Sequence, residues 1–277
     1  MTDSAPAYSA PFLRGALKLL AAIAPLDVMT AEWAWAGSTG RGVKVAVIDT
    51  GIDAHHPAVG DVAGYVSIKL VDDEIVEDRS PHVDESGHGT ACAGIIRSLA
   101  PECELYSIKV MGPALIGRGQ IFVAGLRWAI EEGMQVCNLS LGSTRREYFG
   151  VLHELADLAY FRKVVLVTAA NNYPMPSFPS VFSSVVSVAS HDGTDPHSIY
   201  YNPDPPVEFG APGMDVRVPW LNGGWLTMTG NSFAAPHVAG LIAQILAKHP
   251  NLTPFQVKTV LRALSSNVLH EDAAYEP

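Results

Sequence analysis

The sequence predicts an α/β fold, a three-layer sandwich whose central sheet is mostly parallel. Two observations lead to this. Short β-branched runs recur at Val43 to Ile48, Leu105 to Val110, Val136 to Leu141, Val164 to Thr168 and Val185 to Ala189. They are apolar without regular alternation, as strands covered on both faces are. Between them lie helical patterns at Gly89 to Leu99, Gln120 to Glu132 and Glu147 to Phe161. Strands alternating with helices call for parallel pairing with crossover helices on both sides of the sheet.

Each further element follows from local signals. After the Gly- and Pro-rich stretch Phe209 to Gly230 come two more helical patterns, Ser232 to Lys248 and Thr253 to Leu264. The second opens on Thr253-Pro254, a cap residue followed by proline at the first helical position. The acidic stretch Asp72 to Asp78 and the tail after Asn267 read as irregular, solvated segments. The 277 residues are 48% hydrophobic, enough for one large domain with a buried core. The expected organisation is an N-terminal extension over residues 1–24, one catalytic-size domain over 25–267 and a tail over 268–277.

Composition narrows the function classes. The chain holds 18 basic against 28 acidic residues, a net charge of −10. Scattered Lys and Arg under that excess oppose binding to nucleic acid or to an anionic membrane surface. The apolar stretch from Phe12 to Met29 is interrupted by Arg14, Lys18, Pro25 and Asp27, which fits neither a membrane span nor a signal peptide. Cys92, Cys103 and Cys137 form no C-x-x-C pair and read as reduced thiols. A cytoplasmic protein is the resulting expectation.

Three segments carry chemistry. Val45 to Gly51 places Asp49 directly after a buried strand, Gly87-His88-Gly89-Thr90 places an imidazole at a helix start, and Gly230 to Pro236 places Ser232 at another. In open parallel sheets such junctions converge on one crevice. A serine hydroxyl needs an imidazole to take its proton, and the imidazole needs a carboxylate to hold its tautomer. Asp49, His88 and Ser232 supply that set. Free N–H groups and the helix dipole at the start of the Ser232 helix favour negative charge there.

These motifs, in type, order and approximate spacing, resemble those of the subtilisin-like (S8) serine peptidases, over about Pro25 to Ala263. The resemblance implies a subtilisin-like fold and peptide-bond hydrolysis by Asp49, His88 and Ser232. It further implies that Asn172, ending Val167 to Asn172, donates to the oxyanion. Ser140, Leu141 and Gly142 on one side, and Gly117, Arg118 and Gly119 on the other, would pair with an extended peptide substrate, with Asn171 beside them. Asn171 stands where the family usually has glycine, Asn231 where it has threonine and Phe233 where it has methionine.

The resemblance implies no required cofactor. Calcium is common in the family, and Asp53, Asp61 and Asp72 are acids that would contribute, but no loop shows an oxygen-ligand spacing and no metal site is assigned. About twenty-five residues precede the resemblance, too few for a folding prodomain. The expectation is either a short inhibitory or docking segment, with Phe12 to Ile23 as the candidate, or a protease restricted by its partner.

Several residues have plainer readings. His237 is expected to pack, His55 and His56 to lie on a surface loop, and Cys92 to be a buried structural thiol. The glycosylation patterns at Asn138 and Asn251 read as chance matches. Two alternatives to general hydrolysis stay open: a processing peptidase or transpeptidase dedicated to one peptide, and a catalytically silent peptide-binding module.

Overall fold

A computed structural model describes residues 29–268 except Ile116 and Pro205. The expected extension, including Phe12 to Ile23, and the chain beyond Val268 lie outside the described residues.

Chain order gives α1 (Ala31–Ala34), β1 (Lys44–Asp49), β2 (Gly64–Val71), β3 (Glu74–Asp78), α2 (His88–Leu99), β4 (Glu104–Lys109), α3 (Gly119–Glu131) and β5 (Val136–Leu139). Then come α4 (Phe149–Phe161), β6 (Val165–Ala169), β7 (Val186–His191), β8 (Tyr200–Tyr201), β9 (Phe209–Pro212), β10 (Val216–Pro219), β11 (Trp225–Met228), α5 (Asn231–Lys248) and α6 (Pro254–Ala263). The main sheet runs β3-β2-β4-β1-β5-β6-β7-β9-β8. Its inner pairings are parallel, and only the edge strands β3 and β8 pair antiparallel.

Alternation along β1 explains the three layers. Val45 and Val47 enter a core shared with Ile96 of α2, Leu241 of α5 and Val257 of α6. Ala46 and Ile48 enter the opposite core, with Leu126 of α3 and Leu152 of α4. Both faces are therefore buried, which is why the strand carries no polar alternation. Leu105 of β4 is fully buried in the first core. Leu105→Ala is expected to lower the unfolding free energy by about 2–5 kcal/mol. A lower denaturant midpoint at unchanged slope would show it.

Two readings need correction. Glu74–Asp78 is an edge strand, not a loop: a two-residue turn at Asp72 and Asp73, both with positive φ (50° and 62°), folds it back on β2. Aspartate tolerates that left-handed backbone, and the turn matches the strand twist. The acids of β3 are tolerated because an edge meets water, and Lys69 pairs with Asp78 at 2.9 Å. The Gly- and Pro-rich stretch before α5 also holds β9 and the β10–β11 hairpin; Val218 of that hairpin packs with Ala91 and Ile95 of α2 and Phe233 of α5. The run Val136 to Leu141 leaves the sheet at Leu139.

α6 starts as expected. Thr253 Oγ1 accepts from the Gln256 N–H at 3.3 Å, and Gln256 Oε1 accepts from the Thr253 N–H at 2.8 Å, a reciprocal cap with Pro254 following. Among the described residues, no helix is long and apolar enough to cross a membrane.

Candidate active site

The sheet order changes direction at β1, whose neighbours are β4 and β5. Crevices form outside the carboxyl ends of strands at such a point. Asp49 ends β1, Ser140 follows β5, and Asn171 and Asn172 follow β6, so one edge of the sheet gathers them.

Asp49 is fully buried and His88 nearly so. His88 Nδ1 lies 2.8 Å and 2.9 Å from the two carboxylate oxygens of Asp49. A carboxylate only accepts, so Nδ1 carries the proton and Nε2 of the neutral ring is left as the base. Asp49 Oδ1 also accepts from the Thr50 N–H at 2.8 Å, and Thr50 Oγ1 accepts from the Gly89 N–H at 3.0 Å. These bonds tie the end of β1 to the first turn of α2. Contact there is close enough that a Cβ on Gly89 would lie 2.0 Å from the Gly51 carbonyl oxygen. Only glycine allows His88 to come this near Asp49.

Sequence reasoning missed Asp84. Its Oδ1 accepts from the N–H groups of Ser86 and Gly87 at 2.9 Å, and its Oδ2 from the N–H and hydroxyl of Thr90 at 2.9 Å and 2.7 Å. Gly87, the residue before α2, has φ 93° and no side chain, so Asp84 caps the helix in its place. An acid a few residues before a helix start was the available signal. Burial alone pushes the His88 pKa down, but the charge and hydrogen bond of Asp49, with the charge of Asp84, outweigh it and leave the pKa above the ordinary histidine value.

Ser232 lies in the first turn of α5, where backbone N–H groups have no helical partner. Pro236, four residues on, has no N–H to give the Ser232 carbonyl. Side chains supply what the helix cannot: Ser140 Oγ donates to that carbonyl at 2.8 Å and Cys92 Sγ at 3.5 Å. Ser140 Oγ in turn accepts from Asn138 Nδ2 at 3.0 Å. The Ser140 side chain therefore braces the nucleophile segment. The Ser232 hydroxyl donates to the Ser140 carbonyl at 3.3 Å.

His88 and Ser232 line a groove of about 790 Å³. Leu141, Gly142, Gly117, Arg118 and Gly119 also line it. A smaller recess of about 160 Å³ beside Ser232 is lined by Ser140, Leu141, Gly142, Asn171 and Asn172, with buried Ser177. Asn172 Oδ1 accepts from the Asn231 N–H at 2.9 Å. Because that partner is a donor, the amide orientation is determined, and Nδ2 is the end left to donate. The Asn171 side chain turns back on its own loop, Oδ1 accepting from the Tyr173 N–H at 2.9 Å.

The remaining candidates fall outside the chemistry. His237 is buried, with Nδ1 donating to the Phe233 carbonyl at 2.9 Å, and burial pushes its pKa down to about 4. Both histidines lie in a loop, His55 exposed but His56 buried, which corrects the surface reading for His56. His56 Nε2 donates to the Gly224 carbonyl at 2.9 Å and Nδ1 accepts from the Ala58 N–H at 3.1 Å, so both ring nitrogens are satisfied away from water. All three cysteines are free and buried, and burial raises the Cys92 thiol well above its ordinary range. Asn138 is buried within β5.

Among the described residues, one group of three or more His, Cys, Asp or Glu side chains converges closely enough to hold a metal: Asp49, His88 and Cys92. In that group Asp49 already holds His88 Nδ1. Asp53, Asp61 and Asp72 do not form such a group.

A buried carboxylate holding an imidazole that shares one groove with a serine at a helix start, and an amide beside that serine in an adjoining recess, form the arrangement a serine peptidase requires. Comparison with known proteins agrees. The subtilase family model (peptidase S8) matches residues 40–275. Subtilisin DY of Bacillus licheniformis is 32% identical over 84% of this chain and 86% of its own length. The minor extracellular protease Epr of Bacillus subtilis is 32% identical over 86% of this chain, but the match spans 37% of Epr, and the match to subtilisin E spans 62% of that protein. A solved structure of a cold adapted subtilisin-like serine proteinase superposes with a TM-score of 0.64 at 29% identity, covering 80% of this chain and 81% of that one. The chain belongs to the subtilase family.

Proposed function

We propose that this chain is an endopeptidase that forms an acyl-enzyme on Ser232. His88 takes the hydroxyl proton at Nε2 and returns it to the leaving amine, Asp49 stabilises the imidazolium, and water then releases the acyl group with His88 again as base. The hydroxyl, which donates to the Ser140 carbonyl, would turn to the imidazole for this step. Asn172 Nδ2 and the Ser232 N–H would receive the oxyanion. An extended peptide would lie between 117–119 and 140–142, adding as a strand. The observation that carries this reading is the buried Asp49–His88 pair opening on the same groove as Ser232.

Product masses test it: hydrolysis adds one water across each cleaved bond, whereas transfer to a second peptide's amine joins two fragments. A pH profile adds a second check. The base must be neutral, so kcat/KM is expected to fall as pH drops through a midpoint above the ordinary histidine value. Asp84→Asn removes one charge that raises the His88 pKa, so its midpoint is expected at lower pH than the wild type's. An unmoved midpoint would remove Asp84 from the account.

Three buried thiols support a reducing, cytoplasmic setting. The relatives, one of them named extracellular, give that setting no support. We keep Phe12 to Ile23 as the proposed inhibitory or docking segment.

A further inference from the structure

We infer that Asn231, the residue before the nucleophile, is a positioning residue that holds the oxyanion amide of Asn172 in place; the inference rests on the proposed role of Asn172. The Asn231 N–H donates to Asn172 Oδ1 at 2.9 Å, turning Nδ2 of Asn172 into the free donor. The Asn231 side chain then secures the segment that carries Asn172. Its Nδ2 donates to two consecutive carbonyls, Ala170 at 3.1 Å and Asn171 at 3.2 Å, and its Oδ1 accepts from the Ser190 N–H of β7 at 2.8 Å.

Both hydrogens of one amide are thus spent on the loop leaving β6. The oxygen is spent on the neighbouring strand. The donor pair identifies Nδ2 and the Ser190 N–H identifies Oδ1, so no flipped amide satisfies the set. Asn231 joins three elements at one point: the end of β6, β7 and the first turn of α5 that bears Ser232. Asn172 is exposed and its loop continues through exposed residues 173–176, so little else holds the amide from the solvent side. Oxyanion donors act through fixed position, and a shift of about 1 Å caused away from the chemistry can cost on the order of 100-fold in rate.

The experiment is a double-mutant cycle on the full chain, with kcat and KM measured for a peptide substrate and folding checked by thermal unfolding. Asn231→Ala is expected to lower kcat by roughly 10- to 100-fold with KM within about twofold. In an Asn172→Ala background the same change is expected to add less than about twofold, because the group it positions is gone. Asn231→Asp preserves size and the acceptor for Ser190, so it reports even if the alanine variant fails to fold. Ionised aspartate has no hydrogen for the two carbonyls, while its protonated form has one. The ratio of its kcat to the wild type's should therefore fall as pH rises through the ionisation of the new carboxyl.

Unchanged kcat in a folded Asn231→Ala protein would overturn the inference, as would an equal loss in the Asn172→Ala background. A pH-independent ratio for Asn231→Asp would do the same. If Asn172→Ala alone left kcat intact, the oxyanion assignment itself would fall, and this inference with it.

Discussion

Ser232→Ala is expected to lower kcat for peptide cleavage by roughly a millionfold, the scale known for subtilisin itself when serine or histidine of the triad is removed. The loss should not be a folding defect. What Ser232 contributes structurally comes through its backbone carbonyl, which accepts from Ser140 and Cys92 and is retained by alanine. The hydroxyl makes one bond of 3.3 Å to the Ser140 carbonyl at the open groove, where water can replace it in the variant. Unfolding midpoints of the two proteins should therefore agree while their turnover differs. Residues that act as a unit are not additive, so adding His88→Ala to Ser232→Ala should cost almost nothing more. Cleavage unchanged in Ser232→Ala would end the acyl-enzyme account.

The second large effect is expected at Asn172. Asn172→Ala should reduce kcat by about 100- to 1,000-fold with little change in KM, because the amide meets a full negative charge only in the transition state. Stability should change little. The Asn231 N–H that loses its acceptor lies at the exposed start of α5 and is hydrated instead. A loss confined to KM would make Asn172 a ground-state binding group and leave the oxyanion to other donors.

The parts of this site that were legible in the sequence share a physical cause. Asp49, His88 and Ser232 follow or begin regular elements, and buried parallel strands announce themselves by unbroken apolar runs. The ends of β1 and β6 were thus readable, and with them the placement of Asp49 and Asn172. Asn231 and Thr50 were not, because their work is done by hydrogen bonds to backbone groups of other segments, whereas Asp84 bonds locally to Ser86, Gly87 and Thr90 and was simply missed. Ser190 is 41 residues from its partner Asn231, and Gly89 is 39 from Thr50. No local pattern records such a bond. Ser140 shows a mixed case, since it lines the groove while its hydroxyl is held by the Ser232 carbonyl, a partner 92 residues away.

The fold was misread where local composition and tertiary setting disagree. Charged β3 looked like a loop because its strand identity comes from pairing with β2 and its acids are tolerated at an edge. His56 looked like a surface residue because nothing nearby in sequence shows that Gly224, 168 positions away, accepts from its ring. The β10–β11 hairpin was hidden by glycine and proline, which signal turns without showing that Val218 is buried against α2.

The most direct test of the central claim is labelling of the wild-type chain with a serine-directed phosphonate, the modified residue being located by mass spectrometry. One adduct per chain is expected, on Ser232, formed in step with loss of peptide cleavage and absent in His88→Ala. Loss of cleavage with the adduct on another residue, or full cleavage by protein whose Ser232 is completely modified, would contradict it.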